Sequence, residues 1–187
     1  MAEKLRLHHF LPSSRANGPG MRAVIWVQGC TLNCPGCFNP LTHASDGGTL
    51  VDVDDLFGKI LALDDTIEGI TLSGGEPLQQ MRPVLALLKR VRAETSLSAL
   101  MFSGYTWQEI EQFPASRELT ACVDVMIAGR YDPTQPLSTG MISSANQVPL
   151  FFSDRYTHAD LLAVPPAEVI LMPDGEVLAS GVGGIKW

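Results

Sequence analysis

Three cysteines fall within eight residues of this 187-residue chain, in the segment Gln28-Gly29-Cys30-Thr31-Leu32-Asn33-Cys34-Pro35-Gly36-Cys37-Phe38-Asn39-Pro40. Their spacing is C-x3-C-x2-C. An odd cluster of three thiols cannot pair internally, so structural disulfides are a poor account of it. Glycine and proline surround all three, which argues against simple core packing. A structural zinc site normally takes four protein ligands. Cys122 is available in principle, but it opens an apolar run and reads as a small buried hydrophobe. Thiolates are the usual ligands of iron–sulfur clusters, and three on one tight loop suit a cubane [4Fe–4S] cluster. Three ligands leave one iron free to bind substrate, as the open position of a catalytic zinc does. The pattern therefore points to a catalytic cluster on Cys30, Cys34 and Cys37 in preference to a fully ligated electron carrier.

The elements that must position this loop alternate along the chain. Residues 23–28 (AVIWVQ) read as a buried strand, and a long Gly/Pro/Cys loop over 29–48 follows. Residues 52–63 read as a helix with acids in its first turn. A strand over 67–72 leads into Ser73-Gly74-Gly75-Glu76-Pro77. Residues 78–93 form a helix, with Val84, Leu87, Leu88 and Val91 on one face. A third strand spans 97–102 and ends at Ser103-Gly104. Thr106 with Glu109 reads as a capping box. Further strands fall at 123–127 and 148–152, and 168–172 and 176–179 flank a turn at Pro173-Asp174-Gly175. Strands that alternate with helices call for a parallel sheet with right-handed crossovers. Ligands of such sheets sit at the carboxyl ends of the strands. The cysteine loop, Gly-Gly-Glu, Ser-Gly-Tyr and Gly129-Arg130 each follow a strand, so four segments converge on one face. The expected fold is α/β, a single domain over 1–187 built as a partial (β/α) barrel open on one side.

Composition narrows the partners. Thirteen Lys and Arg against twenty Asp and Glu give a formal charge of −7. A pI near 5.0 argues against a broad nucleic-acid-binding surface, which needs clustered positive charge. No apolar run reaches the ~18–20 residues of a membrane span, and residues 1–14 show no signal-peptide pattern, so a cytoplasmic protein is expected. His8, His9, His43 and His158 have no metal-like spacing and read as ordinary. Asp52, Asp54, Asp55, Asp64 and Asp65 read as solvated helix ends.

Taken together, these motifs resemble the radical S-adenosylmethionine superfamily, and within it the activating enzymes of glycyl-radical enzymes, including those of anaerobic ribonucleotide reductase. The resemblance is carried by residues 17–22 (NGPGMR), 28–30 (QGC), 34–39 (CPGCFN), 72–78 (LSGGEPL), 102–105 (FSGY), 124–130 (DVMIAGR) and 143–147 (SSANQ). These islands run in order over about 15–150. There are departures. Many superfamily members carry an aromatic residue just before the third cysteine, where this chain has Gly36. The serine–asparagine block usually opens Gly-Ser-Ser-Asn, whereas here Ala145 precedes Asn146. The chain also continues from Val148 to Trp187 as an extension that completes or caps the barrel.

The resemblance implies residue roles. Cys30, Cys34 and Cys37 hold three irons, and the fourth chelates the amino and carboxylate groups of S-adenosylmethionine. An electron from the cluster then cleaves a carbon–sulfur bond, which leaves methionine and a 5′-deoxyadenosyl radical. Gly74, Gly75 and Glu76 receive the methionine ammonium: glycines allow close backbone approach, and a carboxylate complements the charge. Read without the resemblance, the same residues make a simple strand-to-helix turn. Ser103 contacts the cofactor, Arg130 pairs with its carboxylate, and Ser143 and Asn146 bond its ribose or carboxylate; each has a plainer reading as packing, surface charge or turn cap. Tyr105 fits core packing equally well. Arg22 organises the glycine-rich segment before the first strand, or a partner interface. The implied substrate is a backbone glycine of a glycyl-radical enzyme, foremost anaerobic ribonucleotide reductase. The implied electron donor is a flavodoxin or ferredoxin. The alternatives are a radical enzyme acting on a small molecule or peptide, with the extension as its lid, and a passive metal-binding module. Gly-Gly-Glu argues against the last.

Overall fold

The computed structural model describes residues 3–171, 175 and 177–181. Strand β1 spans Lys4–Ser14, β2 Arg22–Val27, β3 Thr49–Asp52, β4 Gly69–Gly74, β5 Ser98–Ser103, β6 Val125–Ala128 and β9 Val148–Phe151. Among the described residues these form one seven-stranded sheet in the order β3-β1-β2-β4-β5-β6-β9. The centre is parallel: β2 runs with β4, β4 with β5, and β5 with β6. The flanks are antiparallel, with β1 against β2 and β3 on one side and β9 against β6 on the other. The fold is thus mixed α/β on a mostly parallel central sheet.

Helix α1 (Val53–Leu61) follows β3, α2 (Met81–Glu94) joins β4 to β5, and α3 (Trp107–Ile110) and α4 (Ser116–Cys122) join β5 to β6. Successive strand residues point to opposite faces, and the two faces differ. Ala23, Ile25, Val27, Ile70, Leu72, Ala99, Met101, Met126 and Ala128 join Leu56, Phe57 and Ile60 of α1 and Leu87, Leu88 and Val91 of α2 in the main core. Fully burying each large side chain there contributes about 1.5–3 kcal/mol. The other face carries Arg22, Thr71, Ser98 and Leu100 toward the amino ends of the parallel strands, and Trp26, Ser73 and Phe102 toward their carboxyl ends.

The two ends of that second face are filled differently. At the amino ends Arg22 is fully buried. Its guanidinium donates to Thr71 Oγ1 at 2.8 Å, Ser98 Oγ at 2.9 Å, the Ile70 carbonyl at 2.6 Å and Tyr156 Oη at 3.3 Å. Burial lowers its pKa, opposed by Tyr156 and Glu68. Leu100, Val125 and Ile127 pack there against Met141, Tyr156, Leu161 and Val164. Met141 lies between β7 (Pro136–Thr139) and β8 (Ile142–Ser144), and Leu161 lies on α5 (His158–Leu162). The carboxyl ends are left open as a cavity.

Some sequence expectations change. The stretch Lys4–Ser14 forms the long strand β1, and Thr49–Asp52 adds β3, where no strand was expected. The strand at Val148–Phe151 enters antiparallel, because the β7–β8 hairpin and not a crossover helix connects it to β6. Strands β10 (Glu168–Leu171) and β11 (Val177–Ser180) pair as the expected hairpin. Its turn at 173–174, and residues 172 and 176, lie outside the described residues. Among the described residues, no helix is long and apolar enough to cross a membrane.

Candidate active site

The cysteine loop springs from the end of β2 and is fastened at its root. Gly29 and Cys30 donate their N–H groups to the carbonyls of Thr42 and His43, at 2.7 and 3.1 Å. Gln28 is buried, and its amide Nε2 donates to the Leu41 and Ala44 carbonyls at 3.1 and 2.7 Å. Its Oε1 meets His8 Nδ1 at 2.7 Å. At the far end, the Cys37 N–H donates to the Cys34 carbonyl at 3.2 Å and turns the chain through Gly36, whose φ is 68°.

The turn after β4 packs backbone to backbone on that root. Gly75 N–H donates to Val27 O at 2.8 Å and Glu76 N–H to Gly29 O at 2.9 Å. Gly74 has φ 100°, and a Cβ there would sit 2.6 Å from the Val27 backbone. Only glycine satisfies both demands. The Glu76 carboxylate is buried and accepts from Leu78 N–H at 2.9 Å, Ser103 Oγ at 3.0 Å and Gly104 N–H at 2.7 Å. It therefore ties the ends of β4 and β5 together. Burial pushes its pKa up to about 7, against those three donors and the Arg130 charge.

These segments enclose a cavity of about 600 Å³, within the range of small-molecule sites. Cys30, Cys34, Cys37, Gly74, Gly75, Glu76, Ser103 and Ser143 all line it. Arg130 and Asn146 do not. The structure commits the Arg130 guanidinium to a two-pronged pair with Glu109, at 2.8 and 2.9 Å. It lies 5.7 Å from the Tyr105 ring centre. Asn146 Nδ2 donates to the Arg130 carbonyl at 2.8 Å, and Ser143 Oγ donates to Gln147 Oε1 at 2.8 Å. Residues to which the sequence reading gave no role in the site also line the cavity: His8, His9 and His43, Asn17, Trp26, Phe38, Tyr131, Leu178 to Ser180 of β11, and Gly181. Gln28 had one signal, a polar residue ending an apolar strand directly before the loop.

The donor set fits an iron–sulfur cluster. The three loop cysteines are free thiols. Burial raises the pKa of Cys30, opposed by the Leu32 N–H and aided by the charges of Glu76, Cys34 and Cys37. Burial likewise raises Cys37, opposed by the Asn39 N–H, which donates to Cys37 Sγ at 3.4 Å. Cysteines bind a metal cluster as thiolates, so loading it would release the protons that burial holds on Cys30 and Cys37. Among the described residues, no three His, Cys, Asp or Glu side chains gather tightly enough to hold a single metal ion. A cluster makes a different demand, one thiolate at each of several separate irons. Cys122 is buried as the last residue of α4 and does not line the cavity.

Three thiols at the carboxyl end of a parallel sheet, beside a glycine-lined turn and a small-molecule cavity, define an iron–sulfur protein that works on a small cofactor. Comparison with known proteins sharpens this. Residues 16–149 match the family described as a 4Fe-4S single cluster domain. The anaerobic ribonucleoside-triphosphate reductase-activating protein of Salmonella typhi is 34% identical over 134 residues, 68% of this chain and 85% of that one. Its counterpart in Vibrio cholerae is 32% identical over 153 residues, covering 77% and 96%. That of Enterobacteria phage T4 is 32% identical over 140 residues, covering 73% and 87%. The solved structure of QueE from Escherichia coli aligns with a TM-score of 0.44 and 16% identity over 55% of this chain and 54% of that one. The chain belongs to the radical S-adenosylmethionine activating-enzyme family, with a [4Fe–4S] cluster and S-adenosylmethionine as its cofactors.

Proposed function

We propose that this chain activates an anaerobic ribonucleotide reductase by placing a radical on a glycine of that partner. The observation that supports this most is the single cavity shared by Cys30, Cys34, Cys37 and the Gly74-Gly75-Glu76 turn. When bound, the reduced cluster supplies the electron that splits S-adenosylmethionine into methionine and a carbon radical able to take a hydrogen atom from a glycine Cα. The protein's part is positioning and water exclusion. Cys30, Cys34 and Cys37 hold the cluster. Gly74 and Gly75 let the cofactor's amino end approach backbone, and Glu76 accepts from that amino group. Ser103 fixes Glu76 and presents its hydroxyl to the same wall, and Ser143 faces the cavity from β8. Arg130 and Asn146 act through the segment after β6. The sheet forms the wall of a partial barrel, open on the side that a protein loop would use. The described residues form one domain, since β9 completes the sheet and β11 helps line the cavity. A cytoplasmic location and a flavodoxin- or ferredoxin-type donor complete the reading.

The test is anaerobic reconstitution with iron and sulfide, reduction with dithionite, and addition of S-adenosylmethionine with and without the reductase. The expected products are 5′-deoxyadenosine, and an organic radical signal that rises only with the partner present. Cofactor cleavage with no radical on any reductase, but turnover of a small molecule or peptide, would shift the reading to that substrate class.

A further inference from the structure

The β10–β11 hairpin lies beyond the stretch 16–149 that matches the 4Fe-4S family. Its register pairs Val169 with Ala179 and Leu171 with Val177, so these four side chains share one face. Glu168, Ile170, Leu178 and Ser180 share the other. That second face is turned to the body: Glu168 accepts from the Ser14 hydroxyl and from Arg15 N–H at 3.0 Å, and Ser180 Oγ accepts from Asn17 Nδ2 at 2.6 Å. Polar residues therefore sit inward, and every outward position is aliphatic. Among the described residues, Val169 is 49% exposed, Leu171 77% and Val177 51%. Ala179 is exposed as well.

This pattern is the reverse of what water selects. An antiparallel sheet with one solvated face puts its apolar residues inward and its polar residues outward. Contiguous apolar groups on a surface mark a place where another molecule binds. The face also reaches the cavity. Ala179 belongs to the outward face and lines the cavity beside Leu178 and Ser180 of the inward face. Leu41 of the cysteine loop lines the same cavity while 80% exposed, so the rim carries a bare aliphatic group there too. A macromolecule that delivers a glycine into this cavity has to cover its rim, and the hairpin face is continuous with that rim. A second copy of the chain seated on the face would obstruct the same entry.

We propose that the outward face of the hairpin, formed by Val169, Leu171, Val177 and Ala179, is a docking surface for the reductase whose glycine enters the cavity. The inference rests on the function proposed above. The face meets an apolar patch of the reductase next to the segment that carries its glycine. Contact there takes four aliphatic side chains out of water and holds the reductase while that segment occupies the cavity. The polar clasp of Glu168 and Ser180 to the body keeps the hairpin in place to receive it.

The test uses the full reconstituted chain and its cognate anaerobic ribonucleotide reductase. Three quantities are measured without oxygen: the affinity of the two proteins, the reductase concentration that gives half-maximal glycyl radical, and the 5′-deoxyadenosine released with dithionite and no reductase. Leu171→Glu and Val177→Glu are each expected to weaken reductase binding about tenfold or more and to raise the half-maximal concentration in step. Leu171→Met should stay within about twofold of wild type. Leu61→Glu, the same change at an exposed position of α1 that does not line the cavity, should bind as wild type. Reductase-free cleavage and melting temperature should be unchanged in all four. Wild-type reductase binding by both glutamate variants would overturn the proposal. If that result came with reduced self-association in sedimentation, the face would belong to a second copy; if it came with a lowered melting temperature, to the chain's own packing. A loss of reductase-free cleavage that matches the loss of binding would also overturn it, by making the hairpin a wall of the cofactor cavity only. A wild-type chain that cleaves S-adenosylmethionine but places no radical on the reductase would instead sink the functional reading on which the proposal depends.

Discussion

Glu76 lies between two loops and accepts three hydrogen bonds while buried. Its folded pKa of about 7 stands above its ordinary 4.5, so the folded chain holds the proton more tightly than the unfolded one. The resulting stabilisation is complete below about pH 4.5 and is lost as pH rises through about 7. The cluster-free chain should therefore lose roughly 3 kcal/mol between pH 4 and pH 8 from this group. Thermal melts across that range should show the slope in wild type and a flatter line in Glu76→Gln; parallel slopes would mean that the carboxyl is not the titrating group. In the reconstituted enzyme the same variant should weaken S-adenosylmethionine binding about tenfold to a hundredfold and leave the iron in place. The thiols make a second residue-level prediction. Cys30→Ala, Cys34→Ala and Cys37→Ala should each abolish 5′-deoxyadenosine formation, while Cys122→Ala keeps both cluster and turnover. Turnover in any of the first three, or iron loss in the fourth, would reassign the ligands.

Between elements, glutamine amides do much of the joining. Gln28 pins the cysteine loop, Gln79 bonds Thr31 with both ends of its amide, and Gln80 spans from β1 to the end of β2 through the Arg6 and Gln28 carbonyls. Gln28→Ala would leave the Leu41 and Ala44 carbonyls without these donors, at about 1–3 kcal/mol. The expected outcome is a folded chain by circular dichroism that takes up less iron, and full iron uptake would show that the loop holds its own shape. Such joins explain what was legible in advance. The parallel strands, α1, α2 and the motif loops were readable because periodicity and punctuation are local. Strand β1 was not, because a register slip between Leu7 and His9 breaks the alternation of Lys4-Leu5-Arg6-Leu7. The capping box of Thr106 and Glu109 was legible, but not that Glu109 would also claim Arg130 from 21 residues away. The contact of Tyr131 with Gly36 gave no signal, since the two lie 95 positions apart.

On the scale of the whole molecule, the β10–β11 hairpin contributes Leu178 to Gly181 to the lining of the cavity. Glu168 accepts from the Ser14 hydroxyl and, at 3.0 Å, from Arg15 N–H, and Asn17 Nδ2 donates to Ser180 Oγ at 2.6 Å. Glu168→Ala removes the first clasp. Amide exchange in β10 and β11 should rise severalfold, while α2 and β4 stay protected, because their burial does not depend on the hairpin. Equal acceleration everywhere would show the hairpin to be part of the global unfolding unit.

The same clasp sets an order of events during synthesis. The parallel pairings of β2 with β4, β4 with β5 and β5 with β6 can close as each strand leaves the ribosome, because they join residues no further apart than Arg22 and Gly69. The contact of Asn17 with Ser180 spans 163 residues, so that side of the cavity closes only after nearly the whole described chain has emerged. Until then the three thiols face an open basin. The cysteine loop is therefore reachable from that side for longest during synthesis, until the hairpin docks.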